Sequence, residues 1–146
     1  MEYIHYGDKI FNRNKFSKIK NINFVKPEGG LWASRIDSKY GWIDWVKDNN
    51  FRTDEYRNDN YFKFKLNDKA KILIIDSVDI LKKLPINRNI PYPIIASWVN
   101  LDFEELSKKY DAIEVLISKD ERLYWELYGW DCDSILIMNE DVIEEV

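Results

Sequence analysis

The side chains of this chain that can do chemistry are few, and their types and spacing narrow what that chemistry is. The single histidine, His5, stands near the N-terminus. The single cysteine, Cys132, stands between Asp131 and Asp133, just before the apolar run Ile135-Leu136-Ile137-Met138. Carboxylates at i and i+2 share one face when both lie in a strand. Asp133 and Asp131 are candidate acids, able to stabilise a growing positive charge; their competing role is to cap or solvate the strand entry. His5 can donate a hydrogen bond, or sit as a satisfied strand residue. Tyr40 and Trp42 each offer a ring face to a cation, a contact of about 1 kcal/mol, or pack in a helix core. Ser34 offers a hydroxyl, or simply ends a strand. Arg35 offers a guanidinium to an anion, or to solvent.

Several other chemistries lack their residues. No Gly-x-Gly-x-x-Gly follows a strand, and there is no Walker A loop and no Gly-x-Ser-x-Gly elbow. One His and one Cys do not make a zinc set of the usual composition, so no metal is expected. A Cys132–His5 thiol dyad is conceivable in composition, but a lone cysteine leading into an apolar strand is first a small core residue.

These groups need elements to position them. Met1–Tyr6 alternates and predicts a strand ending at Gly7. Residues 8–27 are polar and irregular, and Pro27-Glu28-Gly29-Gly30 is a turn. Leu31–Ser34 predicts a short buried strand and Ser38–Asn49 a helix with Trp42 and Trp45 on one face. Tyr61–Leu66 alternates with period two, and Lys71–Asp76 is more apolar and reads as more central. The Asn67-Asp68 turn between them predicts a hairpin. A short helix over Ser77–Lys83 with Ser77 as its N-cap follows, then a loop over Pro85–Pro93 and a helix over Asn100–Lys109. Asp111–Leu116 is a strand, Lys119–Tyr128 a helix, and Ser134–Asn139 a final, central strand. Strands and helices do not alternate regularly, which disfavours a doubly wound parallel sheet and predicts a mixed α+β fold in one domain over residues 1–146.

The bulk numbers bound the partners. A net charge of −4 argues against extended nucleic-acid binding, which needs a positive excess, despite the basic stretch Lys9 to Lys26. The acidic end from Glu140 to Glu145 is read as solvated or as part of an interface. A lone cysteine excludes an internal disulfide. There is no leader-like apolar segment and no apolar run near the roughly 20 residues of a membrane span. The expected setting is cytoplasmic, with no membrane partner.

Three segments in order resemble the ADP-ribosyltransferase superfamily of the diphtheria-toxin and poly-ADP-ribose-polymerase type. Tyr3-Ile4-His5-Tyr6-Gly7 resembles its opening strand, with His and Gly nearly adjacent; here Tyr6 stands between them. Gly30-Leu31-Trp32-Ala33-Ser34, followed by Asp37-Ser38-Lys39-Tyr40, resembles its Gly-Ile-Tyr-Phe-Ala strand and the Ser-Lys-Ser and Tyr beyond it. Asp131 to Asn139 takes the place of its last core strand, whose start carries the catalytic acid. Lys71 to Leu81 and Tyr110 to Glu114 are similar to connecting segments of small phage and bacterial members. The resemblance implies a split mixed or antiparallel sheet flanked by helices. It also implies NAD as substrate, held by His5, Gly7, Trp32, Ser34, Tyr40 and Trp42, with Asp133 or Asp131 as the acid. The family's usual acid is Glu, and Asp is one methylene shorter. Two functions stay open. One is transfer of ADP-ribose to a protein or other macromolecule, or NAD hydrolysis, in a toxin or phage counter-defence role within a bacterial or phage-infected cell. The other is a catalytically inactive nucleotide- or protein-binding module, such as a phage-encoded inhibitor of a host complex.

Overall fold

In the computed structural model the described residues are 1–22, 26–87, 99–127 and 129–146. Among them, seven strands form one mixed sheet: β1 (Glu2–Tyr6), β2 (Leu31–Arg35), β3 (Tyr61–Leu66), β4 (Ile72–Ile75), β5 (Ala112–Val115), β6 (Ser134–Ile137) and β7 (Ile143–Glu145). Their order is β4-β5-β6-β2-β1-β3-β7. Every neighbouring pair is antiparallel except β4 and β5. Four α-helices accompany them: α1 (Trp42–Asn49), α2 (Val78–Leu81), α3 (Phe103–Ser107) and α4 (Arg122–Glu126).

Period-two alternation sorts the side chains onto two cores. Ile113 and Val115 of β5 and Leu136 of β6 join Val78, Leu81, Phe103, Leu106 and Leu123 from α2, α3 and α4. Ala112, Ile135 and Ile137 point the other way and join Tyr3, Phe64, Val142 and Ile143. Glu114 shares the second face, almost wholly buried, and accepts from Arg35 Nε at 2.8 Å. Arg35, expected to meet an anion or solvent, instead makes an internal ion pair.

The expected hairpin of Tyr61–Leu66 with Lys71–Asp76 does not form. β3 lies between β1 and β7, whereas β4 pairs in parallel with β5 at the sheet edge. The turn residues show why. Asn67 N–H donates to Val142 O at 2.9 Å and Lys71 N–H to the Asp111 carboxylate at 2.8 Å, so each end of the turn is tied to a different strand. β4 is correspondingly not central, and Ile74 remains exposed. The acidic end is not simply solvated either. Val142 and Ile143 are buried, and Glu144 sits opposite Lys65 in the β3–β7 ladder.

The helices are shorter than periodicity predicts. α1 starts at Trp42 rather than Ser38, because the Trp42 N–H is taken by Ser34 Oγ at 3.0 Å and the Gly41 N–H by the Asp44 carboxylate at 2.9 Å. Asp102 caps α3, accepting from Glu105 N–H at 3.1 Å, and Ser77 caps α2, accepting from Ile80 N–H at 3.3 Å. Of the expected Pro85–Pro93 loop, residues 88–93 lie outside the described residues, as does Tyr128 at the end of the expected fourth helix. Gly30 has φ +71°, and a Cβ there would collide with the Ile137 carbonyl; glycine lets β2 begin flush against β6.

Candidate functional site

The sheet changes partners at β1 and β2, and the candidate site lies there. These two strands are in register only at Tyr3↔Arg35 and Ile4↔Ser34. Beyond those pairs β1 keeps to β3 as far as Tyr6↔Tyr61, and β2 keeps to β6 back to Leu31↔Ile137. A cavity of about 350 Å³ is lined by Ile4, His5 and Tyr6 on one side and Leu31, Trp32 and Ala33 on the other. That volume falls within the range of roughly 300–1,000 Å³ usual for small-ligand pockets.

His5 holds the opening by a side-chain bond where the ladder has stopped. Its Nδ1 lies 2.6 Å from the Trp32 carbonyl oxygen. A carbonyl only accepts, so Nδ1 carries a proton, and Nε2 is the ring nitrogen left for another partner. Nε2 stands 3.5 Å from the Asp8 carboxylate. Asp8 also accepts from Lys15 Nζ at 2.7 Å, and that bond above all holds its carboxyl below the usual carboxylate range. The Phe62 ring backs the imidazole at a centroid distance of 5.0 Å.

The opposite wall is aromatic. Trp42 is stacked on Trp45 at 5.1 Å with 15° between the planes, and meets Tyr56 edge-on at 5.2 Å. Trp32 meets Trp130 edge-on at 4.9 Å, and Trp130 stacks in turn on Phe103 in the core. Lys26 extends over this wall, with Nζ 5.0 Å from the Trp32 centroid and 5.7 Å from that of Trp42. Burial is the main cause that lowers its pKa from 10.5, and the charge of Asp131 works against it.

The sequence-predicted site residues separate into two groups. His5, Trp32, Trp42 and Asp131 line the cavity. Gly7, Ser34, Tyr40 and Asp133 do not, and each has a structural engagement. Gly7 has φ +114° and packs against Tyr56. The buried Ser34 hydroxyl donates to Asp133 O at 2.8 Å while accepting from the start of α1. Tyr40 OH donates to Asp48 at 2.7 Å, which pushes the phenol up to about 12, and its carbonyl accepts from Asp133 N–H at 2.9 Å. The Asp133 carboxylate is buried and accepts from both Ser118 N–H at 2.8 Å and Ser118 Oγ at 2.6 Å. The i, i+2 spacing therefore does not bring both carboxylates into the cavity.

Sequence reasoning placed Lys15 and Lys26 only within the basic stretch Lys9 to Lys26, and it missed Asp8 and the rings of Phe11, Phe16, Tyr56 and Phe62; all of these line the cavity. Lys26 had a legible signal: it directly precedes the Pro27 to Gly30 turn that leads back into β2. The rings come from loops and a distant strand, and nothing local marks them.

Cys132 also lines the cavity, yet it is poorly suited to a thiol dyad. Burial pushes its thiol up to about 12, against the opposing influence of Lys26. The thiolate is the nucleophile, so we expect Ellman's reagent at pH 8 to label folded protein roughly a hundredfold or more slowly than the unfolded chain. Labelling of the folded protein at the unfolded rate would reopen the thiol chemistry.

Among the described residues no group of three or more His, Cys, Asp or Glu is arranged to hold a metal ion, and no helix is long and apolar enough to cross a membrane. No protein-family model, curated protein or solved structure matches this chain.

Proposed function

We propose that this chain is an ADP-ribosyltransferase-like protein that holds NAD in the cavity between β1 and β2 and passes ADP-ribose to a macromolecular target. One observation carries the reading: His5, Trp32, Trp42 and Asp131, drawn from the N-terminal strand, the β2–α1 region and the approach to β6, line one cavity. Their types match the parts of NAD. An indole face suits the cationic nicotinamide ring. His5 offers Nε2 to a ribose hydroxyl while the Trp32 carbonyl holds Nδ1. Asp131 supplies the carboxylate for the charge that develops at ribose C1′. The bond that breaks joins nicotinamide N1 to that carbon; nicotinamide leaves as the neutral base, the acceptor's nucleophile forms the new bond to C1′, and the acceptor's proton passes to solvent. In this reading Asp131 takes the catalytic role, because the Asp133 carboxylate is occupied by Ser118.

A second reading keeps the cavity and drops the chemistry. It is favoured by the neighbourhood of Asp131, whose charge is felt by the half-buried Lys26 ammonium. A carboxylate so compensated stabilises a growing cation less, and Asp is already shorter than Glu. The protein would then be a nucleotide-binding module that acts by occupying a partner.

Labelled NAD incubated with the purified protein and bacterial lysate separates these. Transfer of label to a discrete lysate band, lost in Asp131→Asn, supports the transferase. Nicotinamide release without labelled protein indicates a hydrolase. Absence of turnover from a protein that still binds NAD leaves the module.

A further inference from the structure

We infer that Lys26 is the anion-recognising residue of this cavity, its ammonium, held over the two indoles, pairing with a phosphate or pyrophosphate group. The class of ligand rests on the NAD reading above; the anion site itself rests on what surrounds Lys26. Its Nζ is held over two ring faces, Trp32 at 5.0 Å and Trp42 at 5.7 Å, and all three residues line the cavity. The other cation of the cavity wall, Lys15, is bonded to Asp8, and the neighbouring Arg35 is bonded to Glu114. Lys26 differs: among the described residues no ion pair or hydrogen bond engages its Nζ, although Asp131 lies near enough for its charge to be felt.

An ammonium taken partly out of water and given only ring faces keeps unused donor capacity, because Lys has three N–H donors and a ring face satisfies none of them fully. Burial already works against its charge, as the lowered pKa records. A phosphate reverses that, since a charge-assisted hydrogen bond gains strength where water is excluded. A neutral ligand gains nothing from this residue. Lys26 thus distinguishes phosphate-bearing ligands from their nucleoside counterparts.

The test is calorimetric titration of wild type, Lys26→Met and Lys26→Arg with NAD, ADP-ribose, adenosine and inorganic pyrophosphate. Methionine keeps the apolar stem over the indoles, and an unchanged melting temperature confirms folding. We expect Lys26→Met to weaken ADP-ribose and pyrophosphate by about tenfold or more, to leave adenosine within about twofold, and Lys26→Arg to restore most of the loss. Equal ADP-ribose affinity in wild type and Lys26→Met overturns the inference while leaving the NAD reading standing. Equal losses for adenosine and ADP-ribose also overturn it, because the residue is then only part of the wall. Pyrophosphate binding that depends on Lys26, without binding of adenosine, ADP-ribose or NAD, supports the anion site and removes the NAD reading. Wild type that binds none of the four removes both.

Discussion

Replacing Asp133 with alanine is expected to lower the free energy of unfolding by about 2–4 kcal/mol. The side chain is buried and accepts two hydrogen bonds from one residue, Ser118 N–H and Oγ. Its removal takes away two hydrogen bonds to a charged group, each worth roughly 1.5–3 kcal/mol, and the loss is partly offset because Ser118 itself is exposed and its donors can turn to water. The consequence spreads, because the Asp133 backbone is itself a junction: its N–H donates to Tyr40 O and its carbonyl accepts from Ser34 Oγ. Ser34 Oγ in turn receives the first N–H of α1. The carboxylate thus ties Ser118 to the entry of β6, and the backbone of the same residue ties that entry to the start of the helix that carries Trp42. Urea denaturation of Asp133→Ala and Ser118→Ala checks this, with Ser118→Ala expected to be the milder. An Asp133→Ala protein of unchanged stability that nonetheless lost nicotinamide release would return the catalytic role to Asp133.

The second large effect is on binding. Trp42→Ala is expected to weaken NAD by about tenfold to a hundredfold, the usual range for losing one ring–aromatic stacking contact. Trp42 is held rigidly for this purpose: Trp45 stacks on it and Tyr56 meets it edge-on. A ring fixed before the ligand arrives loses little entropy on binding. Trp45 provides the comparison, because it packs behind Trp42 and does not line the cavity. Trp45→Ala should cost stability comparably yet shift NAD affinity by no more than about threefold. Intrinsic tryptophan fluorescence during NAD titration reads both variants. Equal losses in the two would mean that the aromatic cluster matters as scaffolding only.

How much of this was legible in the sequence depended on whether the determinant was local. β1, β2, β3 and β6 follow from alternation or from an apolar run between polar flanks, and the Gly29-Gly30 turn fixes where β2 begins. Ser77 as the cap of α2 is likewise a local matter of one hydroxyl and one N–H. Pairing is different. Alternation in Tyr61–Leu66 says that one face is buried, not which strand lies beside it, and the partners turned out to be β1 and β7. The turn at Asn67-Asp68 was misleading for the same reason, since its amides bond to Val142 and Asp111, both far away in the chain. The strand at 143–145 was hidden by its acidic side chains, which face outward while Ile143 faces the core.

The site divides along the same line. His5, Trp32, Trp42 and Asp131 were chosen by residue type near strand ends, and the structure gathers them because those ends surround the point where β1 and β2 separate. Ser34 was chosen on the same grounds, but its hydroxyl is taken by Asp133 O and by the Trp42 N–H at the start of α1. The choice between Asp131 and Asp133 turned on where each carboxylate finds its partners, and Ser118, from the 3-10 turn after β5, took one of them. Lys26 was overlooked as one of a run of basic residues, although only its position before the turn sets it over the indoles.

Titration of the wild-type protein with NAD by isothermal calorimetry, beside His5→Ala and Trp42→Ala, tests the central claim most directly. The account predicts saturable binding at one site per chain, a melting temperature that rises with NAD concentration as linkage requires, and weaker binding in both variants. No heat of binding and no NAD-dependent rise in melting temperature would contradict it, and so would binding that both variants retain in full.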